Sequence, residues 1–278
     1  MPNDFNQKII EEFRANRGRV GGPFEGARLI LLTTTGARSG APHTAPVGYL
    51  PDEGDRILVI ASAGGAPTHP DWYHNLVADP RATVEDGVFS YEARATILTG
   101  AERDRLFARA AEADPGWAEY QAATSRVIPV VALEEAEAGP PGGSSFGEGL
   151  RMIHDAFRRE LELVRAEVAR SGPGLGAQLR VNCLSFCGGL RYHHTMEDTA
   201  VFPTLGERHP ELGPTLERLD REHQSIAAIL EALQEVISTE GADPRGVLTE
   251  VDRLAAELEG HLDYEEEQLI PALDGLPA

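Results

Sequence analysis

The hydrophobic rhythm of the chain changes once, near residue 140. Before that point short apolar and β-branched runs recur between turn residues: ARLILLTTTG (27–36), HTAPVGYL (43–50), DRILVIAS (55–62), RATVED (81–86), VFSYEARATIL (88–98) and RVIPVVAL (126–133). Runs of this length bounded by Gly, Pro and Asp read as β-strands. With helical spacing at about 4–17 and 101–113, they predict a small, mostly antiparallel barrel or sandwich. Beyond residue 140 apolar positions fall at helical intervals, and four long helices are predicted at about 146–170, 178–200, 213–238 and 244–268. Ser145, with Glu148 three residues on, forms a capping-box pattern at the start of the first. The breaks at SGPGLG, ERHPELGP and TEGADP are short, which implies an antiparallel four-helix bundle. The fold class is therefore α+β in two domains, 1–135 and 148–278, separated by the Pro/Gly/Ser-rich linker AEAGPPGGSSFG at 136–147.

Composition narrows the partners. A length of 278 residues fits two compact domains. With 25 Lys+Arg against 45 Asp+Glu the formal charge is −20, which argues against nucleic acid or an anionic membrane surface as the main partner. Residues 1–135 hold 13 basic and 19 acidic side chains and the remainder 12 and 26, so the acidity belongs mostly to the helical half. The 2 cysteines, Cys183 and Cys187, make no disulfide framework, and no apolar run reaches the ~18 residues of a membrane span. The start, MPNDFNQKIIEEF, lacks a secretion-signal pattern, and a cytoplasmic, reducing compartment is the expectation.

The helical half contains a duplication. His193, Glu197 and Pro203 are spaced four and six residues apart, and His261, Glu265 and Pro271 repeat the spacing 68 residues later. His154 and His223 precede the two motif histidines by 39 and 38 residues. A His and a Glu at i and i+4 share one helix face, so each motif presents an imidazole and a carboxylate to one point. Four imidazoles and two carboxylates at a bundle centre make a dinuclear site suited to iron or manganese.

The blocks HDAF (from His154), YHHTMEDTAVFP (192–203), DREH (220–223) and HLDYEEEQLIP (261–271) resemble the hemerythrin-like (HHE cation-binding) family over about 148–272. The resemblance implies His154, His193, Glu197, His223, His261 and Glu265 as ligands of two iron ions, with manganese as the other metal, and dioxygen or a related diatomic as ligand. Ala227 stands where oxygen-transporting members carry a further histidine. His194 either supplies the missing ligand or faces a neighbouring helix. Asp155, Asp198, Glu222 and Glu266 are read as solvated, with orientation of ligand imidazoles as the lesser reading. Tyr192 and Tyr264 are read as packed aromatics. Cys183 and Cys187, on one helix face, are read as buried apolar residues rather than a redox pair.

In the first half TTTGARSGAPHTAPV (33–47) places two Gly and Arg38-Ser39 in a tight turn, either an ordinary hairpin or an anion cradle of backbone N–H groups and Arg38. ASAGGAP (61–67) ends a strand, with Gly allowing close approach of a ligand, and HPDWYHNL (69–76) follows. PGWAEYQ (115–121) sets Trp117 and Tyr120 on one helical face. The order TTTGARSG, ASAGGAPTHPDWYHNLVADP, GWAEYQ and IPVVAL is similar to the deazaflavin-dependent nitroreductase family over roughly 5–134. That resemblance implies a split β-barrel binding coenzyme F420, an 8-hydroxy-5-deazaflavin, with hydride transfer to a quinone, nitro or enone acceptor. It maps Arg38, Ser39 and Thr44 to the coenzyme's phosphate and tail, Ser62, Ala63 and Gly64 to its ring, and Trp72, Trp117 and Tyr120 to the acceptor pocket. His43 stands where members carry Arg or Lys, and Trp117 where a Tyr is common. His74 is read as a structural histidine beside Asn75.

The combined expectation is an F420-dependent oxidoreductase fused to a diiron hemerythrin-like bundle, acting on a small-molecule acceptor, with a homodimer as a possible assembly. The alternatives are a bundle that senses iron or oxygen and regulates the barrel, a diiron oxidase or oxygenase whose barrel only holds coenzyme, and a barrel that holds FMN or heme.

Overall fold

The computed structural model describes residues 4–54, 56–137, 145–172, 174–239 and 241–275. The chain divides into two compact units, Met1–Pro141 with Gly176–Val181, and Gly142–Leu175 with Asn182–Ala278.

The first unit is a closed six-stranded barrel. Its strands are β1 (Leu29–Thr35), β2 (Pro42–Pro51), β3 (Ile57–Ile60), β4 (Arg81–Glu85), β5 (Ser90–Ile97) and β6 (Val130–Glu137), antiparallel throughout and ordered β1-β2-β3-β6-β5-β4. Closure explains why the strand sequences are apolar on both faces. Ile30, Leu32, Val59, Val84, Ala93, Val131 and Leu133 fill one cluster, and the alternate residues of the same strands pack elsewhere. Leu29 and Leu31 meet α1 (Asp4–Ala15) through Ile9, Ile10 and Phe13. Leu58, Ile60, Val130 and Ala132 meet α3 (Gly100–Ala113) through Leu106, Phe107 and Ala110. Of two short helices, α4 (Gly116–Ala122) carries the helical face expected for Trp117 and Tyr120, whereas α2 (Asp71–Ala78), only about two turns long, shows too little periodicity to be drawn from the sequence.

The sixth strand differs from the sequence expectation. It begins at Val130 and runs to Glu137, into the stretch predicted as linker, because β5 keeps pairing with it as far as Glu92↔Glu137 and sets Arg94 opposite Glu134. Ser145 and the first helix occupy the other end of that stretch, and residues 138–144 lie outside the described residues.

The second unit is helical: α5 (Phe146–Arg170), α6 (Ala177–Met196, of which the part from Asn182 on belongs to this unit), α7 (Phe202–Arg208), α8 (Gly213–Ser238) and α9 (Pro244–Leu273). Ser145 caps α5, its side chain accepting from the Glu148 N–H at 3.1 Å. Buried positions on α8 run Leu219, His223, Ile226, Leu230, Leu233, Ile237, at alternating intervals of three and four, so a histidine occupies a place that the core seam reserves for an apolar residue. On α9 His261 and Glu265 interrupt the series Val247, Val251, Leu254, Leu258, Leu269 in the same way.

The first motif is not one continuous α-helix. Between α6 and α7 lies a five-residue π-helical stretch, Glu197–Val201, where the Phe202 N–H reaches the Glu197 carbonyl. Pro203 follows at once and has no N–H to offer the preceding turn, so the ladder re-registers there. The second motif tolerates Pro271 inside the last turn of α9, where Leu269 and Leu273 pack with Phe202 and Leu205.

Candidate metal centre and coenzyme loop

In the bundle seven side chains from four helical segments converge. His154, His193, Glu197 and Glu265 bring ligand-type atoms within 4.8 Å of one another, and His194, His223 and His261 form a second such group. Glu265 and His154 are fully buried, and the remainder at least nine-tenths so. His194 is therefore not a bystander: it lies 5% exposed, stacked on His223 with ring centroids 4.1 Å apart. The buried seam of α6, Cys183, Cys187, Leu190, His194, Glu197, passes through it, and that spacing was legible in the sequence. Cys183 and Cys187 are buried on the same seam as thiols outside any disulfide, and burial pushes the Cys187 thiol up to about 12.

Three of the imidazoles are oriented by carboxylates that the sequence reading took as solvated. His154 Nδ1 lies 3.0 Å from Glu266 Oε1, His223 Nδ1 2.7 Å from Asp198 Oδ1 and His261 Nδ1 3.1 Å from Glu222 Oε2. An ionised carboxylate only accepts, so each Nδ1 carries the proton and each Nε2 turns a lone pair inward. Burial opposes ionisation of Glu266 and Glu222, but hydrogen bonds from His154 and Arg158 in the first and from Arg218 and His261 in the second outweigh it and hold both carboxyls low. The duplication predicts two of these contacts, since Asp198 and Glu266 each follow the motif glutamate and each holds the first-helix histidine of the other repeat. Asp155 remains largely solvated, 3.6 Å from Arg158. Tyr192 is exposed, and Tyr264 lies under the Arg218 guanidinium.

This arrangement is incomplete without a cation. His223 Nε2 and His261 Nε2 face each other at 3.2 Å, two lone pairs with no proton between them. All four oxygens of Glu197 and Glu265, and Nε2 of His194, are buried without a hydrogen-bond partner. The two oxygens of Glu197 address different histidines, Oε1 lying 3.1 Å from His193 Nε2 and Oε2 3.6 Å from His223 Nε2. Glu265 Oε2 lies 3.6 Å from His154 Nε2 and 3.5 Å from His261 Nε2. Without metal, burial pushes Glu265 up to about 8 and Glu197 well above the carboxylate range, the latter reinforced by Glu265. Burial also lowers His261 to about 4 and His193 well below its ordinary value. The donor set, imidazole plus bridging-capable carboxylate, fits a hard-to-borderline transition metal such as iron or manganese.

The candidate coenzyme residues fall on two loops of the barrel. The β1–β2 turn closes through the Gly36 N–H to the Ala41 carbonyl at 2.8 Å. Ser39 Oγ meets His43 Nε2 at 3.0 Å, and Thr44 Oγ1 meets Thr33 Oγ1 at 2.8 Å. Arg38 is exposed at the tip. A Cβ on Gly36 would lie 2.7 Å from the His43 ring, so the turn needs glycine there. Asn75 was not singled out for this turn, yet its Oδ1 accepts from the Ala37 N–H and its Nδ2 donates to Thr34 Oγ1, both at 3.0 Å. His74, beside it, is exposed.

The second loop, 61–67, holds Ser62, Ala63 and Gly64. Ala63 has φ 48°, a left-handed conformation unusual for a residue with a Cβ, and Gly64 and Gly65 continue at 60° and 79°. A Cβ on Gly65 would lie 2.9 Å from Ala123 Cβ and 3.1 Å from the Tyr120 carbonyl, so glycine lets this loop close on α4. Trp117 and Tyr120 stand together there, centroids 6.1 Å apart and nearly perpendicular. Trp72 is not with them. It is buried in the barrel interior with Ile30 and Val59, whereas Trp117 packs against the α3-facing cluster. Arg126, also missed, binds the 61–67 loop from beneath.

Residues 6–135 match the family model for F420H2-dependent quinone reductase, and residues 146–273 match that for the hemerythrin HHE cation-binding domain. An F420H2-dependent quinone reductase of Mycobacterium tuberculosis is 38% identical over 125 residues, which cover 44% of this chain and 83% of that protein. The chain belongs to the F420H2-dependent quinone reductase family. It is an oxidoreductase of this family joined to a hemerythrin-like cation-binding domain. A solved F420H2-dependent reductase is 41% identical, covering 38% of this chain and 94% of its own, with TM-score 0.35. A second solved structure, described as a domain-swapped dimer, is 36% identical and covers 48% of this chain and 100% of its own, with TM-score 0.37. The quinone-reductase match over 6–135 bears out the F420-dependent resemblance expected over roughly 5–134. Among the described residues no helix is long and apolar enough to cross a membrane.

Proposed function

We propose that the barrel, residues 1–135, reduces a quinone with F420H2, and that the bundle, residues 148–278, holds two metal ions, iron in the first instance and manganese as the other candidate. The boundary between them falls after Glu137, the last residue of β6, and before Ser145, the cap of α5. The observation that carries the metal reading is the set of four buried, unpartnered carboxylate oxygens facing inward Nε2 atoms. His154 and His193, with Glu197 and Glu265, would hold one ion, and His194, His223 and His261 the other, the two carboxylates lying within reach of histidines of both groups. When loaded, such a centre supplies binding of dioxygen or a related diatomic, or oxidative chemistry. Glu266, Asp198 and Glu222 fix the tautomer and direction of three imidazoles, and the surrounding leucines exclude water.

In the barrel the coenzyme, when bound, supplies a hydride for a two-electron reduction. Arg38, Ser39 and Thr44 are the groups for its phosphate and tail, Ser62, Ala63 and Gly64 for its ring, and Trp117 and Tyr120 wall the acceptor. Trp72 serves by supporting the barrel interior behind them. Two buried thiols outside any disulfide fit a reducing cytoplasm.

Metal analysis with a visible spectrum, followed by F420H2 oxidation with menadione as acceptor, tests both halves of the reading. Two metals per chain, reduced to one or none in His193→Ala and His261→Ala, and menadione-dependent coenzyme oxidation are expected. Fewer than one metal per chain would sink the bundle reading, and no oxidation with menadione the barrel reading.

A further inference from the structure

One guanidinium in the barrel is surrounded by neutral acceptors. Arg126 Nε donates to the Ala66 carbonyl at 2.9 Å, Nη1 to the Ala61 carbonyl at 3.1 Å and Nη2 to the Ser62 carbonyl at 2.5 Å. Nη1 also meets His69 Nδ1 at 2.9 Å. Among the described residues no carboxylate pairs with it. Its own backbone is fixed in turn, because the Gln121 amide donates to the Arg126 carbonyl at 2.7 Å while accepting from the Ile128 N–H at 3.0 Å. An arginine spent on three carbonyls of the 61–67 loop shapes backbone rather than balancing charge.

The loop has no cis peptide, and in a trans peptide the carbonyl and the following N–H point in opposite directions. Drawing the Ser62 carbonyl toward Arg126 therefore turns the Ala63 N–H away from it. The neighbouring amides are already used: Ser62 N–H on Ile60, Gly65 N–H on Ser62 and Ala66 N–H on Ala63. The Ala63 and Gly64 amides are spent in none of these bonds, and both residues are exposed. Three successive residues at positive φ make this a concave run of N–H groups of the kind that receives anionic or carbonyl oxygens.

We propose that Arg126 is a positioning residue of the coenzyme site: by holding the Ser62 carbonyl it turns the Ala63 N–H outward, and by holding the Ala66 carbonyl it steadies the residue whose N–H binds the Ala63 carbonyl, so that the Ala63 and Gly64 N–H groups form a donor pair for the carbonyl-bearing end of the deazaflavin ring. The proposal rests on the reading of this loop as the home of the ring. Arg126 itself touches no reacting atom. Its effect falls on coenzyme affinity and leaves the hydride step, once coenzyme is bound, nearly intact.

The test is a titration of oxidised F420 into the full-length protein, with steady-state turnover of F420H2 and menadione beside it. Arg126→Gln is expected to weaken coenzyme binding on the order of tenfold or more, with kcat at saturating coenzyme and the KM for menadione changed by less than about twofold. Arg126→Lys, which keeps the charge but only one donor direction, falls between, and millimolar guanidinium restores part of the affinity of Arg126→Ala. Unchanged coenzyme affinity in Arg126→Gln overturns the proposal. So does a parallel loss of kcat, menadione KM and melting temperature in both Gln and Lys variants with no guanidinium rescue, which marks a merely structural arginine. Gly64→Val separates the two levels of the argument. If it leaves F420 binding unchanged, the loop is not the coenzyme's; if it abolishes binding while Arg126→Gln has no effect, only the role of Arg126 fails.

Discussion

In the bundle every group aimed at the centre is a side chain from a helix interior, whereas the barrel's candidate coenzyme loop offers backbone amides organised by an arginine 60 residues beyond Ala66. The two materials carry different costs. The bundle buries two carboxylates and five imidazoles that nothing in the protein satisfies fully, so its core is destabilised until a cation enters. The barrel's loop stores its cost in the left-handed Ala63, the two glycines after it accepting positive φ freely, and offsets it with a few hydrogen bonds from one guanidinium. The bundle site should thus govern stability of its own unit strongly and in a metal-dependent way, and the loop should govern ligand affinity with little effect on the fold.

The largest expected effect breaks the bundle. Stripping metal with a chelator should lower the bundle's unfolding free energy by several kcal/mol, on the order of that seen for structural metal sites, while the barrel transition stays in place. Differential scanning calorimetry with and without metal checks it, and coincident unchanged transitions would remove the metal centre as the distinguishing feature. The sign reverses for the carboxylates in metal-free protein. Glu197→Leu should stabilise the metal-free bundle by roughly 1–3 kcal/mol while abolishing metal uptake, because it removes a buried carboxyl with no partner. Denaturant melts of the two metal-free proteins measure this difference directly.

The pH dependence of the metal-free bundle has a defined direction. Glu265, held near 8 in the fold against an ordinary value of 4.5, stabilises only while protonated, so its contribution is complete below 4.5 and is lost as pH rises through 8. His261, lowered to about 4 from 6.5, works oppositely: its contribution is complete above 6.5 and lost as pH falls toward 4. Between 6.5 and 8 only the glutamate term changes, and metal-free stability should fall across that window. Metal loading should flatten the slope, since the ion takes the deprotonated carboxylate. Melting at pH 6.5 and 8, with and without metal, decides the matter.

In the barrel Gly65→Ala should cost about 1–3 kcal/mol, from a left-handed φ and the 2.9 Å approach to Ala123. That loss should appear only in the barrel transition. The smallest effect sharpens an asymmetry within the bundle. Glu222 precedes His223 and orients His261, but Ile153 holds the equivalent place before His154, so His193 lacks the matching carboxylate among the described residues. Ile153→Glu should slow metal loss to chelator by a few-fold, in contrast to Asp198→Asn, which should weaken metal binding on the order of tenfold.

Much of this was legible along the chain. The His/Glu spacing and its 68-residue echo placed six of the seven converging side chains, because a helix turns four-residue spacing into one face. His194 was ambiguous as a motif neighbour and became plain only as a member of the α6 seam. The orienting carboxylates looked like ordinary surface acids until the helices were packed, since what distinguishes Glu266 from Asp155 is not residue type but the imidazole of another helix at 3.0 Å. The resemblance groups Trp72 with Trp117 and Tyr120, and which cluster each ring packs in became visible only once α2 lay against the barrel, with Trp72 beside Ile30 and Val59 and Trp117 in the α3-facing cluster.

Hydrophobic period, turn residues and the repeated motif by themselves determined two domains, a strand-rich one and a helical one, and a metal-type donor set on the second. Closure of the barrel in the order β1-β2-β3-β6-β5-β4, the π-helical re-registration after Met196 and the clasp of Arg126 on the 61–67 loop were decided by tertiary structure alone. The reason is physical. Local periodicity records which face of an element is buried, but a bond between a guanidinium and a carbonyl 64 residues away leaves no period in the sequence.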